Sequence, residues 1–66
     1  MRIVLNGEER EIDDGADLVR LLADAGMPER GIAVAVDGEV VPRAARAGFV
    51  PAEGARIEVL TAVQGG

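Results

Sequence analysis

The chain has 66 residues, 48% apolar and 29% charged, with 7 arginines against 12 carboxylates for a net charge of −5. That suits one small folded unit with an aliphatic core, and it is too apolar for a disordered segment. The sequence contains no Ser, Cys, His, Lys, Tyr or Trp, which excludes disulfides, zinc sites, Schiff-base chemistry and nearly every side-chain nucleophile.

Met1, Ile3 and Leu5 alternate with period two, so residues 1–5 read as a strand with Val4 on its other face. Asn6-Gly7 then suits a two-residue type I′ turn, because both positions tolerate positive φ. Glu9 to Ile12 reads as the returning strand, and its charges place it near a sheet edge. Asp17 is the expected N-cap of a helix of about 14 Å. Its apolar stripe is Leu18, Leu21, Leu22 and Ala25, at i, i+3, i+4 and i+7. Gly26 suits the left-handed position after the helix, with Met27 touching Leu22 and Pro28 blocking continuation.

Ile32 to Val36 is an unbroken apolar strand, with Ile32 and Val34 on one face and Ala33 and Ala35 on the other. Which pair faces outwards is left open by the pattern. Asp37-Gly38 turns the chain, and Glu39-Val40-Val41 pairs back briefly before Pro42. Residues 43–54 read as irregular, with Phe49 anchoring one end of the core. Arg56 to Leu60 alternates again, with Ile57 and Val59 inward and Leu60 outward. The element order of hairpin, helix, hairpin, loop and strand predicts an α+β fold: a mixed sheet of four or five strands with one helix across one face.

The pairs Glu8-Glu9 and Asp13-Asp14 lie in or beside turns, where carboxylates solvate the chain. Thr61 has no base to activate it and reads as a strand residue. Arg43 and Arg46 share the irregular segment and form a small basic spot, the other arginines being scattered and solvated. Nothing resembles the basic stripe that nucleic acids need. No apolar run approaches the roughly 18 residues of a membrane span, and the start lacks a signal-peptide pattern, so a cytoplasmic protein is expected. The final Gly65-Gly66 is the most distinctive feature. It is a side-chain-free strip able to enter a narrow channel in another protein and present its carboxylate. Residues 64–66 are expected to be a flexible tail on a single domain spanning residues 1–66.

The sequence resembles the ubiquitin-like sulfur carriers, and among them those of the thiamine pathway. The resemblance covers essentially the whole chain. It rests on the short first strand, Gly15 to Leu18, the run from Ile32 to Gly38, Val41-Pro42-Arg43, and the closing stretch from Val59 to Gly66. Where such proteins often carry an aromatic residue after the Pro-Arg, this chain has Arg46, and Phe49 is expected to take over that packing.

The resemblance implies a β-grasp fold, with parallel first and last strands at the sheet centre. It also implies a carrier that is not itself an enzyme and holds no cofactor. The Gly66 carboxylate would be adenylated by an E1-like activating enzyme consuming ATP with Mg. It would then take sulfur from a donor such as a cysteine desulfurase system and, as a thiocarboxylate, pass that sulfur to thiazole synthase. Gly65 and Gln64 would thread the partner's active site, and Leu60, Ala62, Val63 and Arg43 would dock. Sibling carriers for molybdopterin or tRNA thiolation, a ubiquitin-like modifier, and a plain binding module share many of these features.

Overall fold

The computed structural model describes residues 1–61. The expected tail, Gln64, Gly65 and Gly66, lies outside the described residues, as do Ala62 and Val63. Strands β1 (Arg2–Leu5) and β2 (Glu8–Glu11) form an antiparallel hairpin. Its turn has φ of 49° at Asn6 and 83° at Gly7, the positive pair that a type I′ turn needs. Helix α1 (Leu18–Asp24) follows, then β3 (Ile32–Val36) and β4 (Glu39–Val40), joined by a second positive-φ turn at Asp37-Gly38. A one-turn helix α2 (Arg43–Arg46) leads to the last strand, β5 (Arg56–Thr61).

The sheet order is β2-β1-β5-β3-β4. Strand β5 is central, parallel to β1 and antiparallel to β3. Leu18, Leu21 and Leu22 of α1 share one core with Ile3, Leu5, Val34, Val36, Ile57 and Val59 from the inner face of the sheet. The β3–β5 register settles the face that sequence left open. Val34 lies opposite Val59 in the core, so Ala33, opposite Leu60, faces out.

Both ends of α1 are capped as the sequence predicts. The Asp17 carboxylate accepts from the Arg20 backbone N–H at 2.9 Å. At the other end Gly26, with φ of 76°, donates to the Ala23 carbonyl while Met27 donates to Leu22. That pair of bonds is the Schellman motif, and Met27 packs beside the core as its apolar partner. The helix has 7 residues, so it spans about 10 Å and is shorter than expected.

Two expectations for residues 43–54 need correction. Pro42 is the extended residue before the helix, with ψ of 153°, and the good helix formers Arg-Ala-Ala-Arg make the turn of α2. Phe49 does not plug the core and is 36% exposed. Its backbone is held instead: the Leu18 N–H donates to the Phe49 carbonyl at 2.9 Å, and the Gly48 N–H donates to Asp17 at 2.9 Å. These bonds lay the loop over the start of α1 with the ring at the surface. Val41 and Ala55 fill the core there.

Asn6 does more than turn the chain. Its side-chain oxygen accepts from the Val59 N–H at 2.8 Å, and its amide donates to the Val59 carbonyl at 3.3 Å. Its own backbone N–H donates to Ile57. The side chain thus extends the β1–β5 ladder past the end of β1. Asn6→Ala is expected to destabilise the fold by about 2 kcal/mol, measured by urea unfolding, because it removes this pair and a residue suited to positive φ.

The Gly48 and Arg20 N–H groups hold the Asp17 carboxyl below its usual range. A carboxylate whose folded pKa is depressed contributes stability above its unfolded pKa and loses it as pH falls through the folded value. Asp17→Asn is therefore expected to lower the melting temperature at pH 7, with the gap to the unaltered protein closing below about pH 4. A melting series across that range checks it.

Candidate functional site

Strand β5 ends at Thr61, beside Ile32 at the start of β3. Leu60, one residue earlier, is 71% exposed on the outer sheet face, opposite Ala33. The next row across that face is Glu58, Ala35 and Val40, the last 73% exposed. Alternation along β5 explains this split. Ile57 and Val59 point to the core, so Glu58 and Leu60 point away from it. The far end of the face is charged, with Arg2 bridging Glu9 at 3.4 Å and Glu11 at 3.2 Å. The apolar part thus lies at the end of the sheet where the chain runs on towards Ala62 and Val63.

The structure does not gather all the expected docking residues onto that face. Arg43 lies on α2 and lines a cleft on the helix-covered side of the sheet, with Val19, Leu22, Met27, Ile32 and Arg46. The basic spot expected from Arg43 and Arg46 exists, but Arg46 is not solvated. It is 7% exposed, and its Nη2 donates to the Ile32 carbonyl at 3.2 Å. Strand β4 pairs only with Ala35 and Val36, so it leaves the Ile32 end of β3 without a neighbouring strand. The guanidinium of Arg46 covers that bare edge. The signal in the sequence was an arginine where an aromatic was expected, at a site that needs both bulk and a donor.

The paired carboxylates sit in surface ion pairs. Asp13 meets Arg20 at 3.0 Å, Asp14 meets the Met1 amine at 2.9 Å, and Glu8 meets Arg10 at 3.8 Å. Among the described residues no cluster of carboxylates is arranged as a metal site. No helix there is long and apolar enough to cross a membrane.

A mixed five-stranded sheet with its first and last strands parallel at the centre, crossed by one main helix, defines the ubiquitin-like β-grasp class. Comparison with known proteins gives the family. The ThiS family model matches residues 3–66. The crystal structure of a thiamine biosynthesis protein (ThiS) from Geobacter metallireducens superposes with a TM-score of 0.83 at 25% identity, covering 100% of both chains. An NMR solution structure of a thiamine biosynthesis protein from the same organism gives 0.77 at 25% identity, covering 100% of this chain and 88% of the other. The chain is also 32% identical over 66 residues to a thiazole synthase from Paramagnetospirillum magneticum, of which it spans only 20%. The chain belongs to the ThiS family, the thiamine-pathway sulfur carriers of ubiquitin-like fold.

Exposure along β5 makes adjacent substitutions diverge. Leu60→Asp is expected to change folding stability by no more than about 0.5 kcal/mol, as at most surface positions. Val59→Asp, which buries an unpaired carboxylate, is expected to cost more than about 3 kcal/mol in the same denaturant titration.

Proposed function

We propose that the chain carries sulfur on the Gly66 carboxylate and donates it as a thiocarboxylate to a thiazole synthase. A carboxylate is a poor electrophile. An E1-like activating enzyme, using ATP with Mg, joins it to AMP and releases pyrophosphate. The persulfide sulfur of a donor such as a cysteine desulfurase system then attacks the acyl carbon and AMP leaves. A second thiol of the donor system cleaves the resulting acyl disulfide, supplying two electrons and leaving a disulfide on the donor and the thiocarboxylate on Gly66. The resulting sulfur is a tethered nucleophile, positioned by protein binding rather than by free diffusion.

The observation that carries this reading is the ThiS family match, which extends through Gly65-Gly66. The side-chain inventory agrees with it, since a chain without His, Cys, Ser or Lys suits a carried group better than a catalyst. The thiazole synthase similarity supports the choice of acceptor, because this whole chain matches 20% of a longer protein of that name. Gln64 and Gly65 thread the partner's active site in this reading. Leu60, with Ala62 and Val63 beyond it, docks on the partner, and the reaction belongs in the cytoplasm.

Incubation with the activating enzyme, ATP and a sulfur source is expected to raise the intact mass by about 16 Da, oxygen replaced by sulfur at the tethered site. Mass gain by a variant lacking Gly66 would overturn the assignment. Leu60→Asp, folded as above, is expected to be adenylated at least about tenfold less efficiently, because a charge at an interface core costs a few kcal/mol. Unchanged efficiency would move the docking surface elsewhere.

A further inference from the structure

The cleft lined by Arg43 and Arg46 lies on the side of the sheet away from Leu60, and the outer-face docking surface leaves it unused. Its volume is about 210 Å³, and its walls are apolar: Val19, Leu22 and Met27 on one side, Ile32 and Ala47 on the other. Val19 is 44% exposed there, a large apolar residue at an open rim. In a chain of net charge −5, two arginines meet at this one concavity. Neither forms an ion pair among the described residues, nor do Arg30 and Arg56, but only Arg43 and Arg46 line this concavity.

Arg46 is the unusual member. Its side chain is more than nine-tenths buried, and one Nη is used by the Ile32 carbonyl. Its Nε–H finds no acceptor among the described residues. A buried donor without a partner costs about 1–3 kcal/mol, so a ligand supplying an acceptor gains what the free protein forgoes. Guanidinium groups bind carboxylates through short, charge-assisted hydrogen bonds, and the Nε–H is a donor left over for one. Apolar walls around that charge favour an apolar segment carrying the carboxylate over a bare, well-hydrated anion. Glu29 also lines the cleft but pairs with neither arginine. Ile32 links the cleft to the sulfur-bearing end of the chain, since it lines the one and pairs with Thr61.

We propose that this cleft between α1 and α2 is a second docking site. It takes an apolar segment of a partner enzyme bearing an Asp or Glu side chain, which Arg43 and Arg46 receive. The proposal rests on the carrier reading above, in that a carrier must be gripped by the enzymes that work on its end. A partner holding both the Leu60 face and this cleft clasps the sheet from its two sides just before Thr61.

The test is an NMR titration of the full chain with acetyl-Leu-Glu-Leu-amide, read at the methyl groups of Val19, Leu22, Met27 and Ile32 and at the Arg46 Nε–H. Saturable shifts confined to those groups are expected. The Gln counterpart of the peptide should bind at least about tenfold more weakly, which is about 1.4 kcal/mol. Arg43→Gln, at an exposed position, should weaken the Glu peptide by a similar factor. Equal binding of the two peptides, or no saturable shift from either, overturns the proposal. So does inorganic phosphate reproducing the full set of shifts, which would make this an anion site. A change at the Arg46 Nε–H on Glu29→Gln, or on removal of residues 62–66, without peptide would mean that the chain fills its own cleft, and this too overturns it. None of these readouts depends on mass gain at Gly66, so the carrier reading and the cleft stand or fall separately.

Discussion

The parallel pairing of β1 with β5 is the contact on which the rest of the structure depends. It joins the first strand to the last, with Val4 beside Arg56 and Leu5 beside Ile57. Parallel neighbours need a crossover, and nearly the whole chain serves as that crossover here. The sheet cannot close until the C-terminal strand enters its centre, so stability and the presentation of the chain's end are one problem. Asn6 reinforces the join, bonding Val59 through both atoms of its amide where β1 itself has already turned away.

That central placement has a mechanical consequence. A residue leaving a central strand departs from a segment held on both sides, by β1 at the start of β5 and by β3 along its length. At its Thr61 end, beyond the reach of β1, β5 is paired by β3. Arg46 adds to this support at the Ile32 end of β3, where β4 no longer reaches. A guanidinium on a bare strand edge also blocks the pairing of another strand there.

Surface character follows from the same two-layer geometry. Only one sheet face is covered by α1, so alternation along β5 and β3 must expose every second residue. Towards β1 and β2 that face carries Arg2, Glu9, Glu11, Arg56 and Glu58 around a half-buried Val4. Towards Thr61 it carries the apolar Leu60 and Ala33. The gradient from charged to apolar along one face is a reason to place a partner at the apolar end. The bonds between the 48–49 loop and the start of α1 tie the remaining loop to the helix rather than to this face.

Local chemistry alone determined much of this protein. Two Asn/Asp-Gly turns, the Asp17 cap, the Gly26 stop, the inward Ile57 and Val59 and the outward Leu60 each follow from φ preferences or from strict alternation. These signals are legible because each depends on residues within a few positions of one another. The outward face of β3 was not legible, because all five of its residues are apolar and only the register against β5 distinguishes them. Phe49 misled because a lone aromatic suggests a core anchor, whereas the backbone bonds of its loop to Leu18 and Asp17 decide where the ring goes. Arg46 was expected in a small basic spot and not as a buried donor, since nothing near it in sequence discloses a strand edge 14 residues away that lacks a donor. The tertiary structure alone could decide these three, because each depends on a partner brought close by the closure of the sheet.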